Sequence, residues 1–505
     1  MERLSRRDAL RSSVALGALG VAAGALGGCS KVIQHTMSAR REPEAVSLPE
    51  VGDLTPTVRL LNRAAFGPAP GDVARVEKMG AEAWLQEQLN APTDDSQETP
   101  GLQIRLATID AIHADGYELR DIQDVKLHRQ LQQATLLRAI YSPWQLRERM
   151  VDLWTNHFNI YAKKTDGYTT PFKAVDDTKV IRAHALGSFP EMLRASAKSP
   201  AMLSYLDNQE NRKGVANENY ARELLELHTL GVDGGYTQKD VQEVARCLTG
   251  WTIEDRPFWK ILRDKEKENP FRSRGTFYFN EDLHDKGEKI VLGHRIPAGG
   301  GMEDGEKVLE IVALHPSTAR FIAMKMVRYF YGTEDSATIE SLAQVYQKTK
   351  GDIKAMLTHL LVPLAKDPPP SGFAPTMKRP YDFLVAALRA TDANTDADKA
   401  LQDHLERMGQ PLFLWPMPDG YPDRTEAWTG SLLARWNFAI RLLANQIEGT
   451  KVEVDDKADT DTLLERTFAR RATDPVLADL RNALAKHKPG ESLALMLCSP
   501  AFQWR

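Results

Sequence analysis

Cysteine is scarce in this chain: three in 505 residues, at positions 29, 247 and 498. Three cysteines make no disulfide framework, and their spacing fits no zinc motif. A surplus of charge is also missing, with 65 basic and 69 acidic residues and a formal net charge of -4. That balance, with no basic block interleaved with aromatics, argues against a nucleic-acid binder. Long apolar runs are absent too. The stretch from Val14 to Leu26 is short and rich in Ala and Gly, too weak for a stable membrane span. HExxH, GxSxG, CxxC, a Walker A loop and a strand-bound GxGxxG do not occur. This removes common zinc proteases, α/β-hydrolases, thioredoxins and nucleotide binders, and leaves unfamiliar enzymes open.

What is present begins with an address. Ser5-Arg6-Arg7-Asp8-Ala9-Leu10 precedes the apolar run, and Leu26-Gly27-Gly28-Cys29 follows it. The paired arginines resemble a twin-arginine signal, which exports folded proteins. The last four residues resemble a lipobox, in which Cys29 is lipidated, becomes the mature N-terminus and anchors the chain to a membrane. Residues 1–28 are therefore expected to be a signal peptide. Residues 29–52, polar with Pro43 and Pro49, read as a flexible tether. The expected location is the periplasm or cell envelope.

Residues 53–505 read as one large, mainly α, multi-helix domain with a small β-hairpin insertion. Thr55-Pro56 is a helix start, an N-cap followed by Pro in the first turn. Further helices are expected over roughly 71–89, from about Tyr117 to Ile140, after Ser142-Pro143, and from Thr237-x-x-Asp240 to Trp251. Between 252 and 300 the pattern breaks. Gly275–Phe279 and Lys289–Gly293 have β character and are expected to pair as a hairpin, with His284-Asp285-Lys286-Gly287 in its loop. Helices resume near Glu303, and long irregular stretches are expected over 367–375 and 409–423.

The segment Asn217–Gly231 carries the most chemical information. As a straight helix it is apolar around most of its circumference, with Asn219, Arg222, Glu223 and Glu226 on one narrow face. Such a helix is normally buried, and buried charge must be paired or bound to a ligand. Glu223 and Glu226, at i and i+3, can aim both carboxylates at one spot. That suits a divalent metal ion or paired acid/base catalysis. Arg222 would hold an anionic group or orient a carboxylate, and Asn219 could add an amide to a bound cofactor. The alternative is an internal ion-pair network, since Arg222 and Glu226 are also i, i+4. His228 falls about half a turn from the stripe and reads as a packed or capping histidine.

Three other places offer polar groups to the same site. Asn156-His157 lies within the aromatic run Trp154–Phe158, where His157 could be a metal ligand and Asn156 a cofactor contact. His284 and Asp285 are further candidate metal ligands, against an exposed turn as the plainer alternative. Asp207, Asn208, Asn211 and Asn217 offer oxygen ligands without calcium-loop spacing. Phe413, Trp415, Tyr421 and Trp428 could stack on a sugar or simply pack over the core.

The motifs taken together resemble the bacterial family known as domain of unknown function 1800. They run from Leu60-Leu61-Asn62-Arg63-Ala64-Ala65-Phe66-Gly67 through Trp154-Thr155-Asn156-His157-Phe158, Tyr205-Leu206-Asp207-Asn208 and Asn217–Gly231. Gly234-Gly235-Tyr236-Thr237, His284-Asp285-Lys286-Gly287, His315-Pro316-Ser317-Thr318-Ala319, Gly409-Gln410-Pro411-Leu412-Phe413 and Pro418-Asp419-Gly420-Tyr421 complete the set. The resemblance implies a largely helical, exported bacterial protein that acts with a second exported family of sulfatase-like appearance. His228 departs from it, since an aromatic such as Phe is expected there. Two functional expectations follow. One is a lipid-anchored helical protein with a buried polar site that binds metal or catalyses. The other is a non-catalytic envelope scaffold for an exported partner.

Overall fold

A computed structural model describes residues 54–505 apart from 115–117, 165–168, 257–260 and 262–273. The leader, the tether and Cys29 lie outside the described residues. Among those described, no helix is long and apolar enough to cross a membrane.

The fold is mainly helical with small two-stranded sheets. Helix boundaries follow the capping signals closely. Thr55 accepts the Val58 amide through its side chain, with Pro56 opening helix Pro56–Ala64. Thr237 and Asp240 form a reciprocal capping box at the start of helix Gln238–Cys247. His315 accepts the Ser317 amide ahead of helix Pro316–Tyr331. Each cap satisfies backbone amides that have no partner within the helix. The helix expected over 71–89 is broken at Gly80 into Asp72–Met79 and Ala81–Leu89, because Gly80 has φ +91.

The apolar side chains gather into three clusters. The largest joins Leu60, Trp84, Met150, Trp154, Phe189, Leu224, Val244, Val308 and Phe330. A second centres on Leu131, Phe383, Leu401 and Phe438, and a small third on Leu464, Leu477 and Met496. Trp154 is fully buried and donates its indole N–H to Ala185 O at 3.1 Å. Truncating such a residue to Ala costs about 3–5 kcal/mol.

Charge is threaded through these clusters. Helix Gln145–His157 buries Arg147, Glu148 and Arg149 in succession. Arg147 pairs with Glu98 and, at 3.1 Å, with Glu148; Glu148 also takes both terminal nitrogens of Arg182 at 2.9 Å. Arg182 reaches Asp177 at 3.1 Å. Asp177–Arg182 is π-helical, and so is Leu224–His228.

The β insertion differs from the expected hairpin. Phe277–Phe279 pairs with Trp251–Ile253, while Lys289–Val291 pairs with its neighbour His294–Ile296. The reason is local. Leu292 and Gly293 both adopt positive φ (49° and 79°) and close a two-residue turn, which is preferred over a long loop back to 277–279. The irregular stretches at 367–375 and 409–423 are as expected.

Candidate active site

The segment that stood out in the sequence begins as helix Asn219–Glu223 and widens into the π turn Leu224–His228. Its apolar side chains, Tyr220, Ala221, Leu224 and Leu225, are buried as expected. The polar stripe is not enclosed. Arg222, Glu223 and Glu226 are half-buried and Asn219 is exposed.

Arg222 decides how the glutamates stand. Its Nη2 donates to Glu218 at 3.1 Å and to Gln238 at 2.9 Å, back along the helix and outward. Glu223 and Glu226 form no ion pair among the described residues. Burial, followed by the Glu226 carboxylate, pushes the Glu223 carboxyl up to about 7; Arg222 pulls the other way and Asp419 adds to the rise. The Tyr236 phenol is also pushed up, first by burial and then by Glu226. Asn219 spends its amide on Leu206 O at 3.2 Å and anchors a loop.

Asp419 reaches this neighbourhood because the Pro-rich loop is pinned down. Asn156 holds Tyr421 by both of its main-chain polar groups: its Nδ2 donates to Tyr421 O at 2.9 Å and its Oδ1 accepts the Tyr421 amide at 2.7 Å. Asn159 donates to Trp415 O at 3.0 Å and Met417 O at 2.7 Å. A side-chain carbon at Gly420 would sit 2.2 Å from the Asn156 carbonyl oxygen, and φ there is +77°. Only glycine lets the loop approach so closely. The Trp415 indole then donates to Asp419 at 3.0 Å. Asn156 is thus a positioning residue, both ends of its amide being engaged by the backbone. The cavity beside it is about 40 Å³, room for a few waters at most.

Helix Pro316–Tyr331 contributes Lys325. It is half-buried, lies 5.3 Å over the Phe321 ring, and forms no ion pair among the described residues. Burial lowers its ammonium to about 8; Asp423 works against this, Arg328 with it, and Asp419 against it. Burial also raises the Tyr205 phenol, helped by Glu223 and then Asp419. Asp419 therefore acts electrostatically on Glu223, Tyr205 and Lys325. A carboxyl near 7 and an amine near 8 can both exchange protons at neutral pH.

The remaining candidates are placed elsewhere. His157 is buried in an aromatic cluster, its Nε2 3.1 Å from His228 O and its Nδ1 without a partner. His228 is fully buried, 5.2 Å from the Phe158 ring and 6.1 Å from His157, with neither ring nitrogen hydrogen-bonded among the described residues. Burial pushes both imidazoles down, His228 to about 3. His228 is packed, as expected from the sequence. His284 bonds Thr249 O at 2.8 Å and Asp304 at 3.2 Å, while Asp285 forms a two-point pair with Arg246 at 2.9 and 3.2 Å. Both tie the β insertion to its neighbouring helices.

The expected metal set of Glu223, Glu226, His157, His284 and Asp285 is therefore not assembled. Among the described residues, no three of His, Cys, Asp and Glu are grouped so as to hold a metal ion. The histidines face inward and Asp285 is neutralised by arginine. The Asp207–Asn217 amides bind backbone: Asn208 donates to Trp251 O at 3.0 Å and Asn211 to Ala245 O at 2.8 Å. Phe413, Tyr421 and Trp428 are buried, which favours packing over sugar stacking.

Residues 59–504 match the family model described as Protein of unknown function (DUF1800). The chain belongs to this family. Neither a curated protein nor a solved structure matches it. Two residues that matter here were not singled out from the sequence. Asp419 lies inside the DUF1800 motif Pro418-Asp419-Gly420-Tyr421, an acid among prolines and aromatics with Asp423 close by. Lys325 follows Met324 within the helix that also carries Phe321, Arg328 and Phe330, a cation set among apolar residues.

Proposed function

We propose that this DUF1800 protein is an acid–base catalyst in which Glu223 exchanges a proton with substrate near neutral pH. The observation that carries this reading is the half-buried Glu223 carboxyl, without an ion pair among the described residues and raised to about 7 while Arg222 is turned to Glu218. Perturbed carboxyls free of counter-ions are what proton-transfer catalysis needs. Glu226 and Asp419 keep the Glu223 proton affinity high, and Lys325 is the second titratable group. Carboxyl-labelled glutamate in NMR tests it. Glu223 should titrate near neutrality and fall toward the ordinary glutamate range in Glu226→Gln and Asp419→Asn. An ordinary titration in the wild-type protein would sink the reading.

The setting we propose is the cell envelope, reached by the twin-arginine route and held by lipidated Cys29. Mass analysis of the mature N-terminus tests the anchor; an unmodified end elsewhere than Cys29 refutes it.

One observation favours the scaffold reading instead. Leu433, Trp436 and Ile440 are 68%, 42% and 55% exposed on one face of helix Leu432–Leu443. An apolar stripe of this spacing suits docking of a partner, here an exported sulfatase-like protein. If Leu433→Asp with Ile440→Asp abolishes co-purification of that partner while Glu223→Gln has no phenotype, the scaffold reading replaces the catalytic one.

A further inference from the structure

Away from Glu223, six cations crowd around two acids. Arg63, Arg149, Lys378, Arg379, Arg435 and Arg505 act electrostatically on one another or on Asp382, and Asp152 is the second acid. Arg379 and Arg149 pair with Asp382, and Arg379 also pairs with Asp152. Arg505 reaches Asp382 only at 3.6 Å. The surplus cations rest on aromatic faces: Arg63 4.7 Å from Phe373, Arg435 5.3 Å from Phe383, Lys378 4.5 Å from Phe502 and Arg505 5.6 Å from Tyr329. Ring faces attract cations but do not satisfy their N–H groups. Arg63 Nε, Arg149 Nε and Nη2, Arg435 Nη2 and Arg505 Nε are buried without a partner among the described residues. Buried unsatisfied donors of this kind are rare and costly.

One edge of this cluster opens onto a cavity of about 80 Å³, lined by Lys378, Arg505, Thr467, Asn62 and Arg470 together with apolar side chains. Thr467 is 3% exposed, and its hydroxyl has no partner among the described residues. Lys378 donates to Phe502 O at 2.6 Å and Trp504 O at 2.8 Å, which leaves one of its three N–H groups uncommitted. Lys378, Arg505, a spare hydroxyl and a void therefore meet at one place, with no acidic side chain among the described lining residues; Arg470, the third cation there, is paired with Asp474 at 2.8 Å.

We propose that this cavity binds a small oxyanion of the phosphate, sulfate or carboxylate class, held by Arg505 and Lys378 and by the Thr467 hydroxyl. The anion relieves the mutual repulsion of the cations and accepts from the two that line the cavity, Arg505 and Lys378. Burial, and Arg505 next, lower the Lys378 ammonium to about 7, so the empty site weakens as pH rises through neutrality. A bound anion restores the charged form.

The test is thermal unfolding and calorimetry of the full chain with inorganic phosphate, sulfate or a short-chain carboxylate. Sodium chloride at matched ionic strength is the control. At least one oxyanion should raise Tm by several degrees beyond chloride and bind with one-to-one stoichiometry. Thr467→Val, which nearly preserves shape, should weaken binding several-fold, and Lys378→Met should abolish it. Should Lys378→Met fail to fold, Thr467→Val carries the test alone. Equal stabilisation by chloride means charge screening only and overturns the proposal. So does wild-type affinity in Thr467→Val, or absence of binding by all three anions.

Discussion

The two π-helical segments treat charge in opposite ways. In Asp177–Arg182 each buried charge has a counter-ion: Arg182 lies between Asp177 and Glu148, and Glu148 continues to Arg147 and Glu98. In Leu224–His228 and the turn before it, Glu223 and Glu226 have no counter-ion, and the His228 ring nitrogens no hydrogen bond, among the described residues. A π turn widens the helix and re-aims its side chains in both cases. What differs is the company. The first segment faces a helix that brings Arg147 and Glu148 to it, so its charges are consumed by the fold. The second faces an aromatic core on one side and the Asp419 loop on the other, so its charges are left available.

Removing a partner from the first segment should give the largest effect. Arg182→Met strands Glu148 and Asp177 and should cost about 3–5 kcal/mol in urea unfolding. A loss below about 1 kcal/mol would make that network no stronger than surface pairs and erase the contrast.

His228→Phe should go the other way. It removes two unsatisfied ring nitrogens and should stabilise by about 1 kcal/mol at alkaline pH. The sign with pH follows from the depressed imidazole. A ring held neutral in the fold, with its value lowered from 6.5 to about 3, contributes stability that is lost as pH falls through that window. The gain from Phe should therefore grow from neutral pH toward about pH 5. A constant gain would show that the ring is accessible to protons in the fold.

Glu223→Gln probes the unpaired carboxyl. Its value is raised from 4.5 to about 7, so its contribution is fully present at acid pH and is lost as pH rises through about 7. The variant should melt about 1 °C above wild type at alkaline pH and match it at acid pH. A lower Tm at alkaline pH would mean that the carboxylate has a stabilising partner after all.

Arg222→Gln should be the smallest. It breaks a half-exposed pair with Glu218 and should cost less than about 0.5 kcal/mol. It should move the Glu223 titration further upward, since Arg222 opposes the rise. A downward move would reverse the assigned electrostatics.

Local chemistry was legible in the residues. Caps at Thr55 and Thr237 set helix starts because a side chain and an amide three residues on interact without help from the rest of the fold. The apolar face of 217–231 told that it packs inside. Other features depended on partners distant in the chain. His157 and Asn156 looked like ligands, but one turns to His228 and the other binds Tyr421, 265 residues away. His284 and Asp285 meet Asp304 and Arg246. The expected long hairpin gave way to a two-residue turn at Leu292-Gly293.

The sequence by itself determined a mainly helical DUF1800 chain, where many of its helices begin, and that Glu223 and Glu226 share one polar face. Helical spacing and capping are properties of neighbouring residues, so they survive without the fold. Only the tertiary structure decided that Arg222 turns to Glu218, that Asn156 and Gly420 bring Asp419 into the field of Glu223 and Lys325, and that the candidate metal ligands stay apart. Those outcomes depend on which group reaches a side chain first, four residues back for Arg222 and 265 away for Asn156, and burial then fixes how strongly each charge is felt.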